Sequence, residues 1–166
     1  KLNCITSHID FFSRTENLEE KVFSQDIIYV GGGNTKSMLA VWKEWNLHII
    51  LKNAYEKGIV MSGVSAGAIC WFDKGITDSF AKELNIIKCL GIVNGIACPH
   101  FDEEKEREPY VNDVISREII ESCICIEGNC ALHIKNESEY IAVDFGNGKN
   151  CFLVSMHENN LRKEII

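Results

Sequence analysis

The chain has 166 residues, 46% apolar and 25% charged, a size and composition that suit one packed domain burying roughly two thirds of its unfolded surface. Its net charge of -7 and the lack of a Lys/Arg cluster argue against sequence-independent binding to nucleic acid, which depends on cations neutralising phosphates, and equally against docking on acidic membranes. No apolar run reaches the roughly 20 residues that span a bilayer, and the charged start Lys1-Leu2-Asn3 is not a signal peptide, so the cytoplasm is the expected address.

The eight cysteines lie in apolar runs such as Ala68-Ile69-Cys70-Trp71 rather than in a loop framework, the distribution expected of reduced thiols in a core. Cys123, Cys125, Cys130 and His133 come nearest to a metal-ligand set. Because Cys123 and Cys125 alternate within a strand-like run, they read as structural thiols, and no metal or other cofactor is expected.

No repeat, low-complexity tract or linker interrupts the chain, and its two prolines, Pro99 and Pro109, mark no boundary. Residues 1–166 are therefore expected to form a single domain. Asp26 to Val30 is a β-branched run ending at Gly31-Gly32-Gly33, as a buried parallel strand entering a loop reads. Helical spacing follows twice, over Thr35 to Trp45 and over Leu47 to Tyr55, the second closed by Gly58. Ile59-Val60-Met61 is the next strand and leads into Gly63-Val64-Ser65-Ala66-Gly67.

Ala68 to Phe72 is predicted as a short helix and Asp73 to Ser79 as a polar loop. Gly95 to Cys98 reads as a strand delivering Pro99-His100-Phe101-Asp102, and Glu103 to Glu121 as a long helix with an acidic first turn. Cys123–Ile126, Cys130–Ile134, Tyr140–Val143 and Cys151–Ser155 read as short strands, separated by turns such as Gly146-Asn147-Gly148 and forming hairpins at a sheet edge. The alternation predicts an α/β fold, a mostly parallel sheet flanked by helices with right-handed crossovers.

A serine hydroxyl is a weak nucleophile at neutral pH and needs a base within reach and donors for the developing oxyanion. Ser65 sits between Gly63 and Gly67 on what reads as a strand-to-helix elbow, and the Ala66 N–H becomes a natural oxyanion donor. Small residues in a tight connection also satisfy packing, so the pentapeptide alone is a modest signal. The loop Gly31-Gly32-Gly33-Asn34-Thr35, at the end of a neighbouring strand, adds unobstructed backbone N–H groups. It lacks the lysine of a P-loop and the spacing of a dinucleotide fingerprint, and a second oxyanion donor is the better reading.

His100, at a strand end where active sites of open α/β sheets collect, is the chosen base over His8, His48, His133 and His157. For the acid that orients the imidazole, Asp78 in Gly75-Ile76-Thr77-Asp78-Ser79 is the first candidate, with Asp102 and Glu103 as alternatives. Each competes with a plainer role, Asp78 as a turn cap and the others as the acidic start of a helix.

Tyr29-Val30-Gly31-Gly32-Gly33-Asn34-Thr35, Gly63-Val64-Ser65-Ala66-Gly67-Ala68 and Cys98-Pro99-His100-Phe101, in this order, resemble the dipeptidase E and cyanophycinase family of serine peptidases. The resemblance implies a fold like that of class I glutamine amidotransferase domains, with serine in place of their cysteine. It implies Ser65 as nucleophile, His100 as base, and backbone of the Gly31–Gly33 loop, Gly32 and Gly33 in particular, with Ala66 as the oxyanion hole. An acid after the elbow would complete the triad, in the region that Asp78 occupies.

Members of that family usually carry an opening strand and further elements before the segment matching Leu2 to Val30, so the resemblance also implies a chain truncated at its N-terminus, with exposed apolar sheet edge and a tendency to form homodimers. The implied substrate is a small peptide with an aspartyl residue beside the cut, because dipeptidase E-like enzymes cleave after an N-terminal aspartate and cyanophycinase-like relatives cut an aspartate-arginine polymer. Lys74, Lys82, Lys105 and Arg107 are the cations near enough in sequence to pair that carboxylate. No nucleic-acid or membrane partner is expected.

Two rivals remain at this level. An α/β-hydrolase esterase shares the order Ser65, Asp78, His100 but needs more sheet between serine and histidine; a non-catalytic binding or assembly domain could keep the elbow without the activity. Asp144-Phe145-Gly146 matches a kinase metal loop by chance, lacking the loops that accompany it. Cys70 and Cys98 read as core thiols rather than nucleophiles.

Overall fold

A computed structural model describes residues 3–15, 17–81 and 83–166. Its first half is built on a parallel pair. Strand β1 (Ile27–Val30) and strand β2 (Val60–Gly63) run in register from Ile27 opposite Val60 to Val30 opposite Gly63, and helices α2 (Thr35–Glu44) and α3 (Leu47–Glu56) form the crossover. The Asn34 side chain accepts a hydrogen bond from Ser37 N–H and so caps α2. Asn46, at φ 55°, turns the chain into α3, and Gly58, at φ 87°, takes it out. The apolar stripe of these helices, with Trp42, Leu47, Leu51 and Ala54 buried, packs with Val22 of helix α1 (Leu18–Phe23) and with Trp71.

The short helix expected over Ala68 to Phe72 is helix α4 (Ala66–Ile69), begun two residues earlier, and the expected polar loop after it is replaced. Strand β3 (Phe72–Thr77) occupies this stretch. Asp73 and Lys74 are exposed and give the segment its polar reading, but Gly75, Ile76 and Thr77 are buried. Gly75 leaves room for Ile69, whose Cδ1 would lie 2.7 Å from a Cβ at that position. Tertiary pairing decides the matter: β3 lies between strand β4 (Asn85–Lys88), antiparallel to it, and strand β5 (Val93–Cys98), parallel to it.

The long helix expected over Glu103 to Glu121 is shorter. Residues 101–106 form turns, and helix α5 spans Arg107–Ser116, with Pro109 in its first turn, where the missing N–H costs nothing. Strand β6 (Ser122–Ile126) follows, then strands β7 (Cys130–Lys135) and β8 (Glu139–Asp144) as one antiparallel hairpin, and strands β9 (Cys151–His157) and β10 (Asn160–Ile165) as another.

The larger sheet has the order β10-β9-β6-β5-β3-β4. Its central strands β3, β5 and β6 are parallel and its margins antiparallel, an α/β architecture with helices on the faces. Alternation along β6 sends Cys123 and Cys125 to the cluster that holds Val111, Val114 and Ile115 of α5, and Ile124 to the opposite cluster with Ile69 and Phe72.

All eight cysteines are free, and Cys70, Cys98, Cys123, Cys125 and Cys151 are buried, as a core-thiol reading expects. Ile27, Tyr29 and Val60 are exposed on the β1–β2 pair. Among the described residues no helix is long and apolar enough to cross a membrane.

Candidate active site

Val64 and Ser65 join β2 to α4, and the Ser65 backbone is forced into φ 55°, ψ -116°, a region that costs a non-glycine residue about 1–3 kcal/mol. The elbow is held by close packing against β1. A Cβ on Gly67 would overlap the Val30 carbonyl, and one on Gly63 would overlap the Gly67 carbonyl, so both positions require glycine. Val64 N–H donates to Val30 O at 3.1 Å, and Ala68 and Ile69 N–H donate to Ser65 O. The Ser65 side chain is thereby presented at the top of the turn, half-buried.

β5 delivers Pro99-His100 to the same place. His100 Nε2 lies 2.9 Å from Ser65 Oγ. His100 itself adopts φ 53°, and the following residue anchors it: Phe101 is buried and its N–H donates to Ile126 O at 3.0 Å. Glu103 and Glu104 N–H both donate to His100 O at 3.2 Å, closing a turn that brings Glu103 Oε2 to 2.7 Å from His100 Nδ1.

The acid beside His100 is therefore Glu103, an alternative in the sequence reading, and not Asp78. Both ring nitrogens are occupied, by Ser65 and by Glu103. Asp78 is exposed one residue beyond β3. Its neighbours have the local role instead: buried Thr77 Oγ1 bonds to Thr35 Oγ1 at 3.2 Å and to Ser79 Oγ at 2.8 Å, Thr35 N–H donates to Ser79 Oγ at 2.8 Å, and Asn34 Nδ2 donates to Ser79 O. This network ties the end of the glycine loop to β3. A His-x-x-Glu spacing within a turn is the sequence signal for Glu103; nothing in the sequence alone marks Thr77 or Ser79.

Asp102, the other alternative, is committed to other partners. Its carboxylate accepts from Gly128 N–H at 2.7 Å and pairs with Lys149. Burial acts to raise its pKa, but these donors outweigh it and hold the carboxyl below the usual range. The glycine loop borders Ser65. A Cβ on Gly32 would lie 3.4 Å from Ser65 Cβ, and Gly33 adopts φ 144° with open space beside it. Among the described residues the backbone N–H groups of Gly32, Gly33 and Ala66 have no protein acceptor.

A cavity of about 1290 Å³ opens from Ser65 and His100 towards β7, and Glu103, Gly128, His133 and Lys135 also line it. Lys74 and Lys105 are exposed elsewhere. Arg107 is 2% exposed and committed to Glu104 and the Ile76 carbonyl: burial would lower its pKa, but Glu104 holds it raised. Lys82 lies outside the described residues.

Of the rival histidines, only His133 lines the cavity, and among the described residues none is a hydrogen-bond partner of Ser65. His8 and His157 are exposed, His48 faces Trp42 O at 3.4 Å, and His133 lies on β7. Burial pushes the Cys98 thiol up to about 12 and the Cys70 thiol higher, which removes both as nucleophiles at neutral pH.

The sequence profile of peptidase family S51 matches residues 1–142. A Bacillus subtilis (strain 168) protein named uncharacterized peptidase YgaJ is 41% identical over 161 residues, which cover 96% of this chain and 70% of that one. The 1.5 Å crystal structure of a Listeria monocytogenes EGD-e protein provisionally named a peptidase E superposes with a TM-score of 0.63 at 20% identity, covering 83% of this chain and 69% of the other, a likeness of fold. The chain belongs to peptidase family S51 and is a serine-type peptidase.

Proposed function

We propose that the chain hydrolyses small peptides with an aspartyl residue on the N-terminal side of the cut, through a Ser65–His100–Glu103 relay and an acyl-enzyme. The observation that carries the mechanism is the pair of contacts of one imidazole, 2.9 Å to Ser65 Oγ and 2.7 Å to Glu103 Oε2. Ser65 Oγ attacks the scissile carbonyl while His100 Nε2 takes its proton; the same nitrogen returns the proton to the leaving amine, which departs as the acyl-enzyme forms. Water, deprotonated by His100, then releases the acid and regenerates Ser65. Glu103 fixes the tautomer with the proton on Nδ1 and stabilises the imidazolium.

The tetrahedral oxygen is received by N–H groups from the Gly32–Gly33 loop and from Ala66. Their adjacency to Ser65 supports this role, since donors already aimed at the developing charge need no reorganisation. The aspartyl preference rests on the three ordered motifs of the sequence, and Lys135 and His133 are the lining groups that would meet a substrate carboxylate.

A panel of Asp-X dipeptides, other dipeptides and long peptides, run beside Ser65→Ala, tests the reading. Ser65-dependent cleavage confined to aspartyl substrates is the expected result. Cleavage without that preference removes the specificity, and failure of a fluorophosphonate to label Ser65 in folded protein removes the mechanism.

A further inference from the structure

Gly128 lies in the turn between β6 and β7, directly against the Glu103 side chain. A Cβ built on it would overlap Glu103 Cδ and Oε1 and lie 2.7 Å from Cγ. The atoms in the way are the end of a flexible side chain that is 47% exposed, so a methyl group at 128 would displace the carboxyl and leave the backbone in place. The turn itself is fixed from both sides. Gly128 N–H donates to Asp102 Oδ1, Asp102 Oδ2 pairs with Lys149, and Asn150 N–H donates to Glu127 Oε2 at 2.9 Å. Asp102 thus bonds the residue that faces its own chain neighbour, and Glu103 is seated between the turn and His100.

We propose that Gly128 and Asp102 are positioning residues for the acid: the bare backbone of Gly128 is the seat of the Glu103 carboxyl, and Asp102 holds that seat in register. His100 is the hydrogen-bond partner of the Glu103 side chain among the described residues, so an acid moved off its seat leaves the imidazole unoriented. For its effect on turnover the inference rests on the Ser65–His100–Glu103 mechanism. For its effect on the His100–Glu103 contact it does not.

The test compares the full chain with Gly128→Ala, Asp102→Ala, Glu103→Ala and the doubles that combine each of the first two with Glu103→Ala. Steady-state kinetics on the best peptide of the panel, the rate of fluorophosphonate labelling, and the low-field Nδ1–H proton resonance typical of a histidine bonded to a carboxylate are recorded for each. Gly128→Ala is expected to lower kcat about 100-fold, the scale of a misplacement of about 1 Å in a catalytic array, with KM unchanged and the resonance lost. Asp102→Ala is expected to act in the same direction with a smaller loss.

In the Glu103→Ala background neither substitution should cost anything further, because the group they position is gone. A glycine needed only for folding would cost the same in both backgrounds, and that result overturns the proposal. So does Gly128→Ala with the kcat and the resonance of the parent. If the parent cleaves no peptide, the mechanism fails on its own, while loss of the resonance in Gly128→Ala still supports the seat and its persistence still overturns it.

Discussion

Glu103 Oε2 approaches His100 Nδ1 to 2.7 Å across a four-residue turn, so the imidazole and the carboxylate beside it belong to one short segment fastened to β6 by Phe101. This makes Glu103 and Asp78, two of the three candidate acids in the sequence, separable by experiment. Glu103→Gln keeps the shape and removes the charge, and kcat/KM is expected to fall by on the order of 10²–10⁴-fold, the range of general acid–base assistance. Asp78→Asn, at an exposed position, should stay within about twofold, as surface changes usually do. Parallel kinetics on the two variants decide it; equal losses would contradict the assignment.

Ser65 holds a strained backbone, φ 55° and ψ -116°, that glycine adopts without penalty. Ser65→Gly is expected to abolish turnover yet raise stability by about 1 kcal/mol, or roughly 2–4 °C in Tm for a domain of this size. Thermal unfolding of the two proteins checks this, and a lower Tm in the variant would mean that the elbow is unstrained.

In the proposed mechanism nucleophile and base act as a unit, so Ser65→Ala combined with His100→Ala should be scarcely slower than either alone. Their side chains share one hydrogen bond. Multiplicative losses in single-turnover assays would show that the two act independently.

Thr77 is buried and its hydroxyl joins Thr35 and Ser79 behind the glycine loop. Thr77→Val leaves those partners unsatisfied and is expected to cost about 1–3 kcal/mol, with a fall in kcat as the loop beside Ser65 loses its brace. Urea unfolding with kinetics on the same samples measures both. A stability loss at unchanged kcat would confine the network to the fold.

Asp102 has a carboxyl whose pKa is held below its ordinary 3.8; burial opposes the shift, and Lys149 and the Gly128 N–H outweigh it. The unfolded chain therefore binds more protons in this window, and the contribution is present above the ordinary carboxylate value and lost as pH falls through the depressed one. Between these limits stability should fall with acidity in the parent, and that part of the slope should be missing in Asp102→Asn. Denaturant unfolding below about pH 4 reads the difference.

Much of this was legible in the chain itself. The β-branched run before Gly31 and the apolar stripes from Thr35 to Tyr55 are local patterns, and β1, α2 and α3 appear where those patterns place them. The glycines at 63 and 67 announce a close approach that the Val30 carbonyl imposes. Ser65 and His100 could be singled out because each follows a predicted strand, and β2 and β5, though in separate sheets, end close enough to bring His100 Nε2 to 2.9 Å from Ser65 Oγ.

What local pattern could not supply was supplied by neighbours. β3 reads as a polar loop because Asp73 and Lys74 face water, and it becomes a strand only through pairing with β4 and β5. The helix after Glu103 starts at Arg107 because the intervening turn is needed to fold Glu103 back on His100. The choice between Asp78 and Glu103 depended on which carboxylate could approach an imidazole nitrogen, a distance in space that sequence separation does not determine. Sequence alone singled out Ser65 and His100, because glycine spacing and strand ends are local; tertiary structure alone brought Glu103 to the imidazole and against Gly128, because such contacts are set by how separate turns pack.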